Sequence, residues 1–201
     1  MVAAHAFPVH APAVHEERRV LLNDVPWATY VMLRDTVDSA GIRMTYLRGA
    51  LEIMSSSKPH EVQKKQIARL LELFCLERDI PLYGYGSTTF RREELERGLE
   101  PDECYSRDRD TVFPDVAIEV VVTNPSLDKL EVYRGLGVRE VWVFRDAHFE
   151  LFGLRGASYE PLAASVVFPE IDLARIAHYA VEEDQNHALR AYRDELRDPG
   201  R

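Results

Sequence analysis

The chain has few cysteines, no surplus of positive charge and no long apolar run, and each shortage removes a class of protein. Two cysteines in 201 residues, Cys75 and Cys104, make neither a disulfide framework nor a zinc site. Cys75 stands in an apolar helical run, where a small core residue is expected, and such sparse use suits a reducing cytoplasm. No stretch reaches the roughly 18 uninterrupted apolar residues of a membrane span, so no membrane partner is expected. Lysine and arginine number 25 against 34 aspartates and glutamates, a net charge of −9. A protein that coats nucleic acid carries the opposite sign, because neutralising phosphates supplies most of the sequence-independent affinity. Any contact with nucleic acid is therefore local, weak and metal-assisted, or helped by a partner.

Residues 1–15 alternate Ala, His, Pro and Val, without the basic start and apolar run of a secretory signal. Residues 1–19 read as a flexible lead-in, and 20–201 as a single domain long enough to bury a core. A hydrophobic content of 46% and a charged content of 29% fit an ordinary globular chain.

Punctuation and periodicity outline the elements. Asp24 and Pro26 open a helix over Trp27 to about Ser39, closed by Gly41. Ile42–Leu47 and Ala50–Met54 read as two strands joined at Arg48–Gly49. Ser57 precedes Pro59 at the start of the longest helix, with Val62, Ile67, Leu70, Leu71, Phe74 and Leu76 as its apolar stripe. Lys64, Lys65 and Arg69 lie on its polar side, and Pro81 ends it. Leu82–Tyr83, Thr88–Phe90 and Glu100–Tyr105 read as strands, with a charged turn over Arg91–Glu100.

Phe113–Thr123 is the clearest strand. Val116, Ile118, Val120 and Val122 form one aliphatic face, and Ala117 and Val121 make the other nearly as apolar, as in the middle of a covered sheet. Asn124 and Pro125 open a short helix over Ser126–Leu136, and Val138–Phe144 and Phe149–Leu154 are further strands. Strand, helix, strand implies a parallel pair. Helices over Ile171–Ala180 and Asp184–Leu196 close the chain. The fold class is α/β or α+β.

Glu119 is the anomaly, a carboxylate in the middle of an apolar strand. Burying it is costly unless it is paired or bound to a metal, and a structural ion pair with an arginine or lysine is the alternative reading. A hard cation such as Mg²⁺ takes one or two carboxylates together with waters and phosphate oxygens. Asp115 shares the strand and face, but four residues place it about 13 Å away, too far to share one ion. Asp102, just after Pro101, is the better second ligand, and Asp115 stays in reserve. Lys129, on the following helix, stands where it can orient a water or stabilise phosphate charge. A solvated helix lysine is its plainer reading. Glu52 shares a face with Ala50 and Met54 and reads either as a third carboxylate at the metal or as an exposed strand residue. His60 can contact phosphate or hydrogen-bond Glu52, and Tyr133, one turn beyond Lys129, reads as packing.

Several blocks together resemble one family: Gly49–Ser55, His60, Gly86–Phe90, Glu100–Tyr105, Pro114–Val120, Leu127–Tyr133 and Gly137–Trp142. The segment from Gly49 to Leu154 is similar to the Uma-type restriction-endonuclease-like proteins, a branch of the PD-(D/E)xK nuclease superfamily. The resemblance implies a mixed β-sheet flanked by helices and a metal, Mg²⁺ or Mn²⁺, held by Asp102 and Glu119. It implies a catalytic set of Glu52, Asp102, Glu119 and Lys129, an endonuclease acting on nucleic acid, DNA in the first instance, and a homodimer, since cutting a duplex needs two sites. The superfamily's lysine follows its Glu by two residues, where this chain has Val121, and Lys129 resembles a migrated replacement. A catalytically silent nuclease fold serving as an interaction module is the alternative.

Overall fold

The computed structural model describes residues 17–37, 39 and 41–198. Residues 1–16, most of the expected lead-in, lie outside the described residues. Strand β1 (Arg18–Leu22) nevertheless begins inside that expected lead-in. Helix α1 (Trp27–Thr36) follows, capped at Pro26 and not by the Asp24 side chain, and it is shorter than expected. Strands β2 (Ile42–Leu47) and β3 (Ala50–Ser55) form the expected hairpin. Arg48 and Gly49 both have positive φ, 46° and 89°, as a tight two-residue hairpin turn requires.

Helix α2 (Lys58–Glu77) is capped by Ser57, whose hydroxyl accepts from the His60 amide, with Pro59 in its first turn. Its apolar stripe is narrower than the spacing suggested, since Val62 is 45% and Leu76 78% exposed. Lys64, expected on the solvated side, is instead buried and pairs with Glu61 at 2.6 Å.

The supposed charged turn is mostly structured. Short strands β4 (Tyr83–Gly84) and β5 (Phe90–Arg92), a 3-10 turn over Glu93–Leu95 and strand β6 (Arg97–Leu99) precede β7 (Glu103–Ser106). Strand β8 (Val116–Val120) is shorter than its hydrophobic run. Helix α3 (Lys129–Leu136) starts later than Asn124–Pro125 implied: Asp128 is its cap, its side chain accepting from the Glu131 amide. Strands β9 (Glu140–Arg145), β10 (His148–Arg155) and β11 (Ser158–Leu162) form a meander. Helices α4 (Leu173–Ala180) and α5 (Gln185–Arg197) complete the chain.

The strands form two sheets where one had been expected. One is wholly antiparallel, in the order β1-β3-β2-β6-β5; the other is mixed, β11-β10-β9-β8-β7-β4, with β8 and β9 parallel across α3. The main core lies under the mixed sheet, where Val116, Ile118 and Val120 meet Leu70, Leu71 and Phe74 of α2 and Ile176 and Tyr192 of the last helices. The opposite face of β8 presents Ala117 to Val132, Tyr133 and Leu136 of α3. Each fully buried aliphatic side chain here contributes roughly 1.5–3 kcal/mol.

Among the described residues the chain changes sheet three times, and the last passage is at Glu100–Pro101–Asp102, between β6, paired with β2, and β7, paired with β8. Gly98 makes that crossing possible. A β-carbon there would lie 2.9 Å from the Tyr30 ring, which is fully buried and stacked on Tyr46 at 4.9 Å. Gly98→Ala is therefore expected to destabilise the protein by about 1–3 kcal/mol through overpacking, read as a lowered urea midpoint. An unchanged midpoint would mean that the Tyr30 ring can move aside.

Candidate functional site

The site forms where three elements meet: the crossing before β7, the C-terminal half of β8 and the first turn of α3. Glu103 is paired with Ile118 in the antiparallel β7–β8 ladder, so the register one step further sets Asp102 beside Glu119. Directly opposed residues of such a pair have β-carbons about 4.5–5.5 Å apart. Both carboxylates are buried, Asp102 at 2% and Glu119 at 3% exposure. Two buried carboxylates side by side are unfavourable unless cations or donors surround them.

Those partners are present. Asp102 Oδ2 accepts from the Val120 amide at 2.8 Å and lies 3.1 Å from His60 Nε2. Glu119 Oε2 accepts from Lys129 Nζ at 2.6 Å, and Oε1 accepts from the Tyr133 hydroxyl. Lys129 as the first residue of α3 and Tyr133 four residues later share one helix face, so one turn of helix delivers both donors to the same carboxylate.

Burial is the largest influence on Glu119 and pushes its carboxyl above the usual range. The Lys129 charge opposes this, while Asp102 reinforces it. For Lys129, burial works against the ammonium, but Glu119 and Asp102 outweigh it and hold its pKa above the ordinary lysine value. Burial likewise opposes ionisation of Asp102, yet the His60 hydrogen bond and charge and the Lys129 charge keep its carboxyl below the usual range. The Tyr133 hydroxyl, pushed up by burial and then by Glu119, stays a proton donor.

His60 sits between two carboxylates. Burial disfavours its charge, but Asp102 and then Glu61 overcome that and raise it to about 9. Its Nδ1 is 3.7 Å from Glu61 Oε1, too long for a hydrogen bond, so the second attraction is electrostatic. Among the described residues Nδ1 of His60, Oε1 of Glu61 and Oε2 of Glu17 are buried without a hydrogen-bond partner.

The sequence candidates separate. Asp102, Glu119 and Lys129 converge. Asp115 lies at the far end of β8, where it accepts from the Arg107 amide at 3.0 Å and pairs with Arg139 at 3.2 Å. Glu52 is buried, and its two oxygens are taken by Arg19, at 2.8 Å, and by the Ser126 amide. His60 reaches Asp102 and not Glu52. Tyr133 is a hydrogen-bond donor to Glu119 as well as a core residue, a role its i, i+4 spacing from Lys129 signals. Arg19 and Glu17 had no sequence signal, because the segment that carries them has neither periodicity nor motif.

The donor set fits a hard cation. Asp102 and Glu119 offer two neighbouring carboxylates, the kind and number of oxygen donors that Mg²⁺ or Mn²⁺ takes together with water and phosphate. Among the described residues no group of three or more His, Cys, Asp and Glu side chains could hold a metal ion, so a closed protein cage is not what these residues build.

The family described as "Putative restriction endonuclease", Uma2, matches residues 27–181, most of the chain and the whole of this site. The protein belongs to the Uma2 family. Among curated proteins none matches the sequence. Membership agrees with the α+β fold and with the resemblance carried by the blocks between Gly49 and Leu154. Among the described residues no helix of this Uma2 protein is long and apolar enough to cross a membrane.

The raised His60 gives a pH signature. Its folded value of about 9 lies above the ordinary 6.5, so its stabilising contribution is complete below pH 6.5 and is lost as pH rises through 9. Urea stability of the parent should fall over that window, and His60→Gln should flatten the fall. A slope identical in the two proteins would show that His60 is not charged in the fold.

Proposed function

We propose that this Uma2 protein is a metal-dependent endonuclease that hydrolyses phosphodiester bonds, with DNA as the first substrate to test. The observation that carries this reading is the placement of Asp102, just before β7, beside Glu119 of β8, with Lys129 Nζ 2.6 Å from Glu119. Asp102 and Glu119 would hold Mg²⁺ or Mn²⁺, which supplies Lewis-acid neutralisation of phosphate charge and an acidified water. Catalytic work beyond that falls to the chain. Tyr133 and Val120 aim the two carboxylates, and His60 holds Asp102 in its ionised form. Lys129 is a compact cation beside the carboxylates, suited to charge that grows on phosphate oxygens in the transition state. Were Lys129 Nζ to turn from Glu119, the carboxylate would be free to help hold the cation and the ammonium free for phosphate.

The acidic surface suits a protein that meets nucleic acid locally, through the cation, and not by coating it. A homodimer in the cytoplasm, with two sites for two strands, is part of the same reading. The competing reading is a silent nuclease fold acting as an interaction module. It draws on Val121 in the superfamily's lysine position and on an ion pair, Lys129–Glu119, that is already satisfied without metal.

Titration calorimetry with Mn²⁺ and nicking of supercoiled plasmid separate the two. The parent should bind Mn²⁺ and nick the plasmid; Asp102→Asn and Glu119→Gln should each abolish binding, while Asp115→Asn leaves it intact. Lys129→Ala should slow cleavage about 10²–10³-fold, the scale of losing one transition-state donor, with Mn²⁺ binding retained. A parent that binds no Mn²⁺ and cuts neither DNA nor RNA would establish the silent module. Cleavage unaffected by Lys129→Ala would exclude the migrated lysine.

A further inference from the structure

Strand β1 does little for the core. Val20, Leu21 and Leu22 are 55%, 40% and 41% exposed, and the strand is held at the sheet edge by its backbone ladder to β3, with Leu21 opposite Glu52. What β1 and the residue before it turn inward is charge: the Glu17 and Arg19 side chains are 1% and 10% exposed. Burying charged groups under an exposed strand is unfavourable unless each finds partners, and the partners lie in one place.

That place is the segment from Val121 to Asp128, which joins the strand of Glu119 to the helix of Lys129. Its last sheet bond is the Val121 amide to Phe144 at 2.9 Å, and helix α3 begins at the Asp128 cap. Between them, every hydrogen bond that residues 122–127 make among the described residues goes to Glu17, Arg19 or Glu52. Arg19 donates from Nε to the Thr123 hydroxyl at 3.0 Å and from Nη2 to the Thr123 carbonyl at 3.3 Å. Thr123 donates its hydroxyl to Glu17, and the Ser126 amide donates to Glu52. Arg19 closes the set, donating to Glu52 at 2.8 Å and to Glu17 at 2.7 Å. One planar guanidinium with its fixed fork of donors ties two carboxylates and a loop together.

We propose that Glu17, Arg19 and Glu52 form a clasp that positions the 121–128 segment, and through it Lys129 against Glu119. Arg19 and Glu52 are thus positioning residues, and Glu52 acts on the loop and not as a third metal ligand. The catalytic consequence rests on the nuclease reading above; the clasp itself does not.

Amide hydrogen exchange of the full chain tests the clasp without any activity. In Arg19→Ala, exchange of the Ser126 amide and its loop neighbours should rise at least about tenfold, the signature of a locally opened segment, while β8 and α2 keep parental protection. Glu52→Gln retains an oxygen for the Ser126 amide and loses the charge pairing. It should raise loop exchange less and keep Mn²⁺ affinity within about twofold, because a ligand's loss would cost far more. Cleavage by both variants should fall, by up to about 10²-fold for a displacement on the order of 1 Å, with Arg19→Lys recovering only part. Parental exchange in Arg19→Ala overturns the clasp, and lost Mn²⁺ binding in Glu52→Gln returns Glu52 to the metal. A parent that never cleaves overturns the nuclease reading alone, and the exchange result then decides the clasp.

Discussion

The fold is arranged around two like charges held side by side. Asp102, just before β7, and Glu119 of β8 are almost wholly buried and repel each other. Isolated carboxylates in such a place would cost several kcal/mol each. Everything close to them is compensation: a backbone amide and a histidine on Asp102, an ammonium and a phenol on Glu119. The compensators come from α2, β8 and α3, elements that otherwise only pack the core. A cation placed between the carboxylates would invert the local logic and hold both in the charged form. Self-neutralisation by Lys129 and affinity for a divalent ion are two answers to the same electrostatic problem.

The architecture brings those charges together at the last of the chain's crossings between the sheets. Residues 97–106 belong to both sheets, first as β6 against β2 and then as β7 against β8. Asp102 lies at the change of sheet, where backbone pairing switches partners and a side chain can turn inward. Pro101 suits that point because it gives up no ladder amide. Gly98, three residues before, lets the crossing lie against the Tyr30–Tyr46 stack.

Much of this was legible in the residues. Val116, Ile118 and Val120 announced a buried strand, and the glutamate within it announced a buried charge in need of partners, which Lys129 and Tyr133 supply. Ser57 and Pro59 marked the start of α2, and Arg48–Gly49 marked the hairpin. What escaped was either short or non-local. Strands β5 and β6 are three residues each and charged, so no periodicity can reveal them. The start of α3 was misplaced because two cap signals compete, Asn124–Pro125 and Asp128, and only packing selects the second. Lys64 was hidden by its own partner, since burial of a lysine becomes tolerable once Glu61 stands one turn away. The bonds of Arg19 span up to 104 residues, and no local pattern encodes a contact of that range.

On the proposed reading, Lys129 takes the place of a lysine at position 121. In the superfamily pattern, a lysine two residues after the glutamate would share its face of the strand. Here that strand ends at Val120, and the next residue makes only a single further backbone bond before the chain leaves the sheet. A lysine at 121 would start from backbone less firmly held than the ladder that holds Glu119. Lys129 starts from a capped helix whose next turn is locked by Tyr133, fully buried and bonded to the same glutamate. Such a migration would exchange a strand-end position for a helical one. The helix holds the ammonium well only while the intervening segment keeps its length and shape, so precision at Lys129 depends on residues as distant in sequence as Arg19.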